Sequence, residues 1–108
     1  EAYILSTGTT IDADILKAGD HGSSTSSTDA FLKAVSPNVI VMSLGADNEY
    51  GHPHIEALTR FAKYTDHIYR TDLDGDVVVT TDGSVYSVVT RNEHIAGNIL
   101  VSGDGIRV

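Results

Sequence analysis

The sequence predicts an α/β fold in which helices pack on a mixed sheet. Three observations carry it. Val39-Ile40-Val41-Met42 is a continuous apolar run of strand length, the pattern of a strand buried on both faces. Segments of helical spacing alternate with short β-branched segments. Asp82-Gly83 then sits between two β-branched runs, a hairpin signal.

The elements follow in order. Residues 1–7 read as a helix with Tyr3, Ile4 and Leu5 apolar, stopped by Gly8. Ile11 to Ala18 reads as a short strand centred on Ile15 and Leu16. The serine- and threonine-rich stretch at 23–28 is rich in N-cap residues and leads into a helix from Asp29 to Val35. Phe31, Leu32 and Val35 share one face of that helix, and Ser36-Pro37 ends it. Val39 to Leu44 is the buried strand, followed by a polar loop from Gly45 to His52. Pro53 takes the first helical position, with His52 as N-cap. Ile55, Leu58 and Phe61 recur at helical spacing, and Glu56 and Lys63 complement the helix dipole. His67 to Arg70 is a short strand. Strands 76–81 and 84–90 pair across a type I′ turn at Asp82-Gly83. Residues 91–108 form an extension in which Ile99-Leu100-Val101 is a possible added strand.

The chain has 108 residues, enough for one domain with a modest core. Apolar residues make up 41% and aromatics 6%, with no Trp, so the core must be aliphatic. The longest apolar run is far too short to span a membrane, and no basic segment followed by an apolar one marks a signal peptide. With no Cys, thiolate metal sites and disulfides are excluded. The formal charge of −8 weighs against a general electrostatic grip on nucleic acid. It leaves open a nuclease whose metal ions supply the local positive charge.

Two loops concentrate the chemistry, and they hold three of the five histidines. Gly19-Asp20-His21-Gly22-Ser23 follows a strand. Asp20 and His21 are ligand types for Zn²⁺ or Mn²⁺, and Ser23 can donate to a phosphate. The bland alternative is a turn that happens to hold a histidine. In Asn48-Glu49-Tyr50-Gly51-His52-Pro53-His54, a helix beginning at Pro53 would aim free N–H groups at an anion. His52 and His54 stand ready to donate there, and Asn48, Tyr50 and Gly51 can add hydrogen bonds. A solvated helix cap is the bland alternative. Asp72, Asp74 and Asp76 lack the glycine placement and closing Glu of a calcium loop and read as a tight turn between strands. His67 reads as a strand residue and His94 as a surface one.

Taken together, the segment from Asp14 to Ser23, then Tyr50-Gly51-His52-Pro53-His54, Tyr69-Arg70-Thr71-Asp72 and Thr81-Asp82-Gly83 resemble the C-terminal half of a metallo-β-lactamase-fold hydrolase of the ComEC type. The resemblance runs from about Glu1 to about Thr90 and rests on the order and spacing of four motifs. It implies half of an αββα sandwich, with residues 1–90 as that half-domain. It also implies metal-dependent phosphodiester hydrolysis, of DNA, in the parent protein. His21 then matches a metal-ligand loop in which relatives carry two histidines, with Asp20 replacing the first. His52 and His54 match a catalytic loop lining the same cleft.

The family's main ligand cluster, His-x-His/Asp-x-Asp-His, lies in the other half of the domain. The expectation is therefore a Zn²⁺ or Mn²⁺ ion in the parent protein and a chain inactive by itself. Its partners would be DNA or another phosphodiester, the missing N-terminal half of the domain, and a second copy in a homodimer. The parent would be membrane-associated or extracellular. The competing reading is a non-catalytic binding module, which Asp20 and the acidic surface favour.

Overall fold

The computed structural model describes residues 1–92; the rest of the extension, with its candidate strand at Ile99-Leu100-Val101 and the surface reading of His94, lies outside these. A short helix α1 (Ala2–Ser6) is followed by strand β1 (Ile15–Lys17), a 3₁₀ turn at Gly19–Gly22, helix α2 (Asp29–Val35) and strand β2 (Val39–Met42). Helix α3 (Ile55–Ala62), strand β3 (Ile68–Arg70), a single helical turn α4 (Thr71–Asp74) and the strands β4 (Val77–Thr81) and β5 (Tyr86–Thr90) complete it. The α/β expectation holds. Parallel and antiparallel pairing are divided between two sheets: β1, β2 and β3 run parallel in that order, and β4 pairs with β5 as a hairpin.

The parallel sheet holds the core. β2 lies between its neighbours, with Ile40 opposite Leu16 and Ile68. Val39, Ile40 and Met42 are buried, which is why this strand reads as an unbroken apolar run. Leu32 from α2 and Ala57, Leu58 and Phe61 from α3 pack with Ile40, Met42 and Ile68 in one fully buried cluster. Thr28 caps α2 by accepting the Phe31 N–H at 3.2 Å, and Ser36 ends that helix in the left-handed region. Gly8, at φ +73°, follows the end of α1 as the stop signal requires.

Several sequence expectations are corrected. α3 begins at Ile55 rather than Pro53, and its N-cap is His54, not His52. The His54 N–H goes instead to the Gly22 carbonyl at 3.0 Å, which ties this segment to the 3₁₀ turn before the helix starts. The His52–Pro53 peptide bond is cis. Ile55 is 47% exposed, so the core face of α3 is carried by Ala57, Leu58 and Phe61.

The hairpin turn is also displaced by one residue. Asp82 pairs with Val85 through a 3.3 Å backbone bond, leaving Gly83 and Ser84 at the tip. Gly83 has φ +95° while Ser84 stays at negative φ, so the two positive values of a type I′ turn are not met. Asp82 Oδ1 accepts the N–H groups of Ser84 and Val85 at 2.8 and 2.9 Å, which keeps Asp82 in the ladder.

The Asp72–Asp76 segment is a helical turn, not a tight turn between strands. Its carboxylates diverge. Asp72 binds the Arg70 guanidinium, buried Asp74 accepts the Arg70 backbone N–H at 2.8 Å, and exposed Asp76 faces Arg91.

Candidate functional site

All three parallel strands deliver their carboxyl ends to one side of the molecule, where ligand clefts form in open α/β sheets. β1 leads into the turn that carries Asp20 and His21. β2 leads into Ser43, Leu44 and Gly45, and β3 into Thr71. A cleft of about 320 Å³ opens there, lined by His21, Ser43, Leu44, Gly45, Asn48, Tyr50, His52 and Thr71.

The three histidines of the two loops converge. The His21 and His52 rings stack at 6.3 Å between centroids and 27° between planes. His54 meets His52 edge-on at 4.7 Å and 68°. Tyr50 stacks on His52 at 5.7 Å and is 69% exposed, so it stands at the mouth.

Hydrogen bonding gives two of these imidazoles opposite tautomers. His21 Nδ1 lies 2.6 Å from the Ser43 carbonyl oxygen. A carbonyl only accepts, so Nδ1 carries a proton, and in the neutral ring the lone pair is then on Nε2. A backbone carbonyl fixing one ring nitrogen and leaving the other basic is the arrangement of histidines that bind metals or take up protons. His54 is the reverse. Its Nδ1 accepts the Ser24 N–H at 2.9 Å, so Nε2 carries the proton and donates to the Tyr50 carbonyl at 3.2 Å. Both nitrogens of His54 are thus occupied, Nδ1 in tying its loop to the serine-rich segment and Nε2 in closing that loop on itself at Tyr50, and the expected anion-binding helix cap is replaced by this tie.

Asp20 and His21 are held at φ +50° and +55°, two successive non-glycine residues in the left-handed region. Such backbone costs about 1–3 kcal/mol per residue and persists only where the surroundings enforce it. Here the Ser43 carbonyl holds His21, and Thr25 Oγ1 donates to Asp20 Oδ2 at 3.4 Å. Gly22 follows at φ +80°. A Cβ on it would lie 2.8 Å from Met42 Sδ and 2.9 Å from Pro53 Cβ, so only glycine lets the two histidine loops meet this closely.

The remaining expected site residues play other parts. Ser23 is buried, with its hydroxyl 2.8 Å from that of Thr25, and it does not line the cleft. Asn48 uses its whole amide to shape the loop. Its Oδ1 accepts the N–H groups of Tyr50 and His52, and its Nδ2 donates to the carbonyls of Gly45 and His52. Gly51 lines a neighbouring depression with His52, Pro53, Arg70 and Asp72. Among the described residues, no group of three or more His, Asp or Glu side chains is placed to hold a metal ion.

Sequence reasoning assigned no role to Thr71, Ser43 or Leu44. The Tyr69-Arg70-Thr71-Asp72 string was visible as a motif, and its side chains make specific contacts at the strand ends. Arg70 Nε and Nη2 grip both Asp72 oxygens in a buried pair, and the Thr71 hydroxyl bonds Leu44.

No protein-family profile matches the chain, and no solved structure matches it. It is 32% identical over 77 residues to ComE operon protein 3 of Bacillus subtilis (strain 168), covering 71% of this chain and 10% of that protein. It is 39% identical over 75 residues to Competence protein ComA of Neisseria gonorrhoeae, covering 69% and 11%. Recombination protein 2 of Haemophilus influenzae is 35% identical over 66 residues, covering 61% and 8%. The chain's homologues are thus proteins of the competence family, and it spans about a tenth of their length.

Proposed function

We propose that this chain is the C-terminal half of a metallo-β-lactamase-fold hydrolase domain that cleaves phosphodiester bonds of DNA during bacterial DNA uptake. The observation that carries this reading is the meeting of His21, His52 and His54 at the carboxyl ends of the parallel strands, with the His21 Nε2 lone pair left available. Homology to competence proteins supports the uptake role. Exposed valines on the β4–β5 hairpin accord with half of a sandwich, in which a second layer covers that sheet.

His21 and His52 are the residues to which we assign contact with a Zn²⁺ or Mn²⁺ ion, with Asp20 beside them. His54 holds the loop, and Tyr50 at the mouth offers a face for a nucleobase. A catalytic divalent ion takes at least three protein donors, and the described residues do not bring three together. In this reading the chain completes its site with ligands from elsewhere in a longer protein and is inactive by itself. That same shortage favours a second reading, a binding module that has lost catalysis.

Titration of the chain with Mn²⁺ and Zn²⁺, followed residue by residue by NMR, tests the proposal. Broadening confined to Asp20, His21 and His52 is expected. A response equal at His67, which precedes β3 at the end of the strand away from the cleft, or none at all, would favour the binding module.

A further inference from the structure

The parallel ladder between β2 and β3 ends at the pair Met42 and Arg70. Beyond it the chain after β3 turns into α4, so its backbone leaves the sheet while the segment after β2 still has the N–H and carbonyl of Leu44 to satisfy. The Thr71 hydroxyl bridges that gap. It donates to the Leu44 carbonyl at 2.9 Å and accepts the Leu44 N–H at 2.9 Å, so one side chain satisfies both backbone groups of one residue. The peptide thus anchored adjoins Ser43, and the Ser43 carbonyl is the group that accepts the His21 Nδ1 proton at 2.6 Å.

We propose that Thr71 is a positioning residue for His21: by clamping Leu44, its hydroxyl holds the Ser43 carbonyl against Nδ1 and so fixes Nε2 as the basic nitrogen facing the chemistry. The inference rests on reading the cleft as the reactive site. The clamp runs across two strand ends, from β3 through β2 to the turn after β1, and joins all three loops that line the cleft. Its effect on His21 is electronic as well as spatial. A carbonyl that drifts from Nδ1 no longer favours the Nδ1–H form, and the lone pair is then shared between the two nitrogens. The left-handed backbone of His21 sharpens the dependence, because a strained residue relaxes once its restraint is loosened.

The test is the tautomer of His21, read from its imidazole ¹⁵N shifts in the 108-residue chain under mildly alkaline conditions. In the unmodified protein, Nδ1 must be the protonated nitrogen; an Nε2–H form there overturns the proposal with no variant needed. Thr71→Val keeps the shape and removes the hydroxyl. It is expected to shift the His21 tautomer ratio by about fivefold, the bias one ordinary hydrogen bond exerts. Thr71→Ser, which restores the hydroxyl, is expected to return it, with the His67 ratio constant throughout. An unchanged His21 ratio in folded Thr71→Val, with Leu44 amide protection lost, would show a purely structural clamp and overturn the proposal. The readout needs neither metal nor DNA, so its outcome is separate from that of the hydrolase reading.

Discussion

The parallel sheet and the hairpin are built from the same aliphatic residues and put them to opposite use. In β2 three of four residues are buried, and α2 and α3 close over them. In β4 and β5 three of the five valines are exposed, with Val78 at 54% and Val89 at 62% paired opposite each other. Strand character is therefore separable from burial. The hairpin is held by five residue pairs and by the Asp82 side chain, whereas the sheet is held by packing. The cleft stands on the packed region, so its loops rest on the rigid part of the molecule.

That contrast can be broken from the packed side first. Phe61→Ala removes the largest fully buried side chain and is expected to cost about 3–5 kcal/mol, read as a lowered denaturant midpoint. Val78→Thr on the hairpin keeps the β-branched shape and is expected to alter stability by no more than about 0.5 kcal/mol in the same experiment. A large loss there would mean that the hairpin face is covered in solution and would erase the contrast.

The smallest effect concerns the turn. The N–H groups of Val85 and Ser84 hold the Asp82 carboxyl below its ordinary value of 3.8. A carboxyl with a depressed folded pKa stabilises above the unfolded value and loses that contribution as pH falls through the folded one. Thermal melts of Asp82→Ala and the unmodified chain should therefore differ at neutral pH and converge in acid. Curves separated equally at both ends would place the role of Asp82 in its shape and not in its charge.

The legible parts of the sequence were those whose cause is periodic. Val39–Met42 announced a strand because both its faces are buried, and Leu58 and Phe61 announced α3 because they recur on one side. The start of α3 was misplaced because Pro53, a good first helical residue, is buried against Gly22 instead. The turn was misplaced because Asp82 takes its hydrogen bonds through its side chain. Histidine beside glycine drew attention to the right loops. Which nitrogen of each ring is free depended on Ser43 and Ser24, 22 and 30 residues away, and no local pattern encodes that. The Thr71 bridge to Leu44, 27 residues distant, is hidden for the same reason.

Gly22 acts as a spacing gauge for the whole site. Because main chain rests on main chain where it receives the His54 N–H, the two histidine loops sit nearly as close as a polypeptide allows. A single added methyl would act as a wedge between them, and every ring-to-ring distance in the cleft would open with it. The reach of the imidazoles toward a common guest is thus set by the smallest residue in the chain.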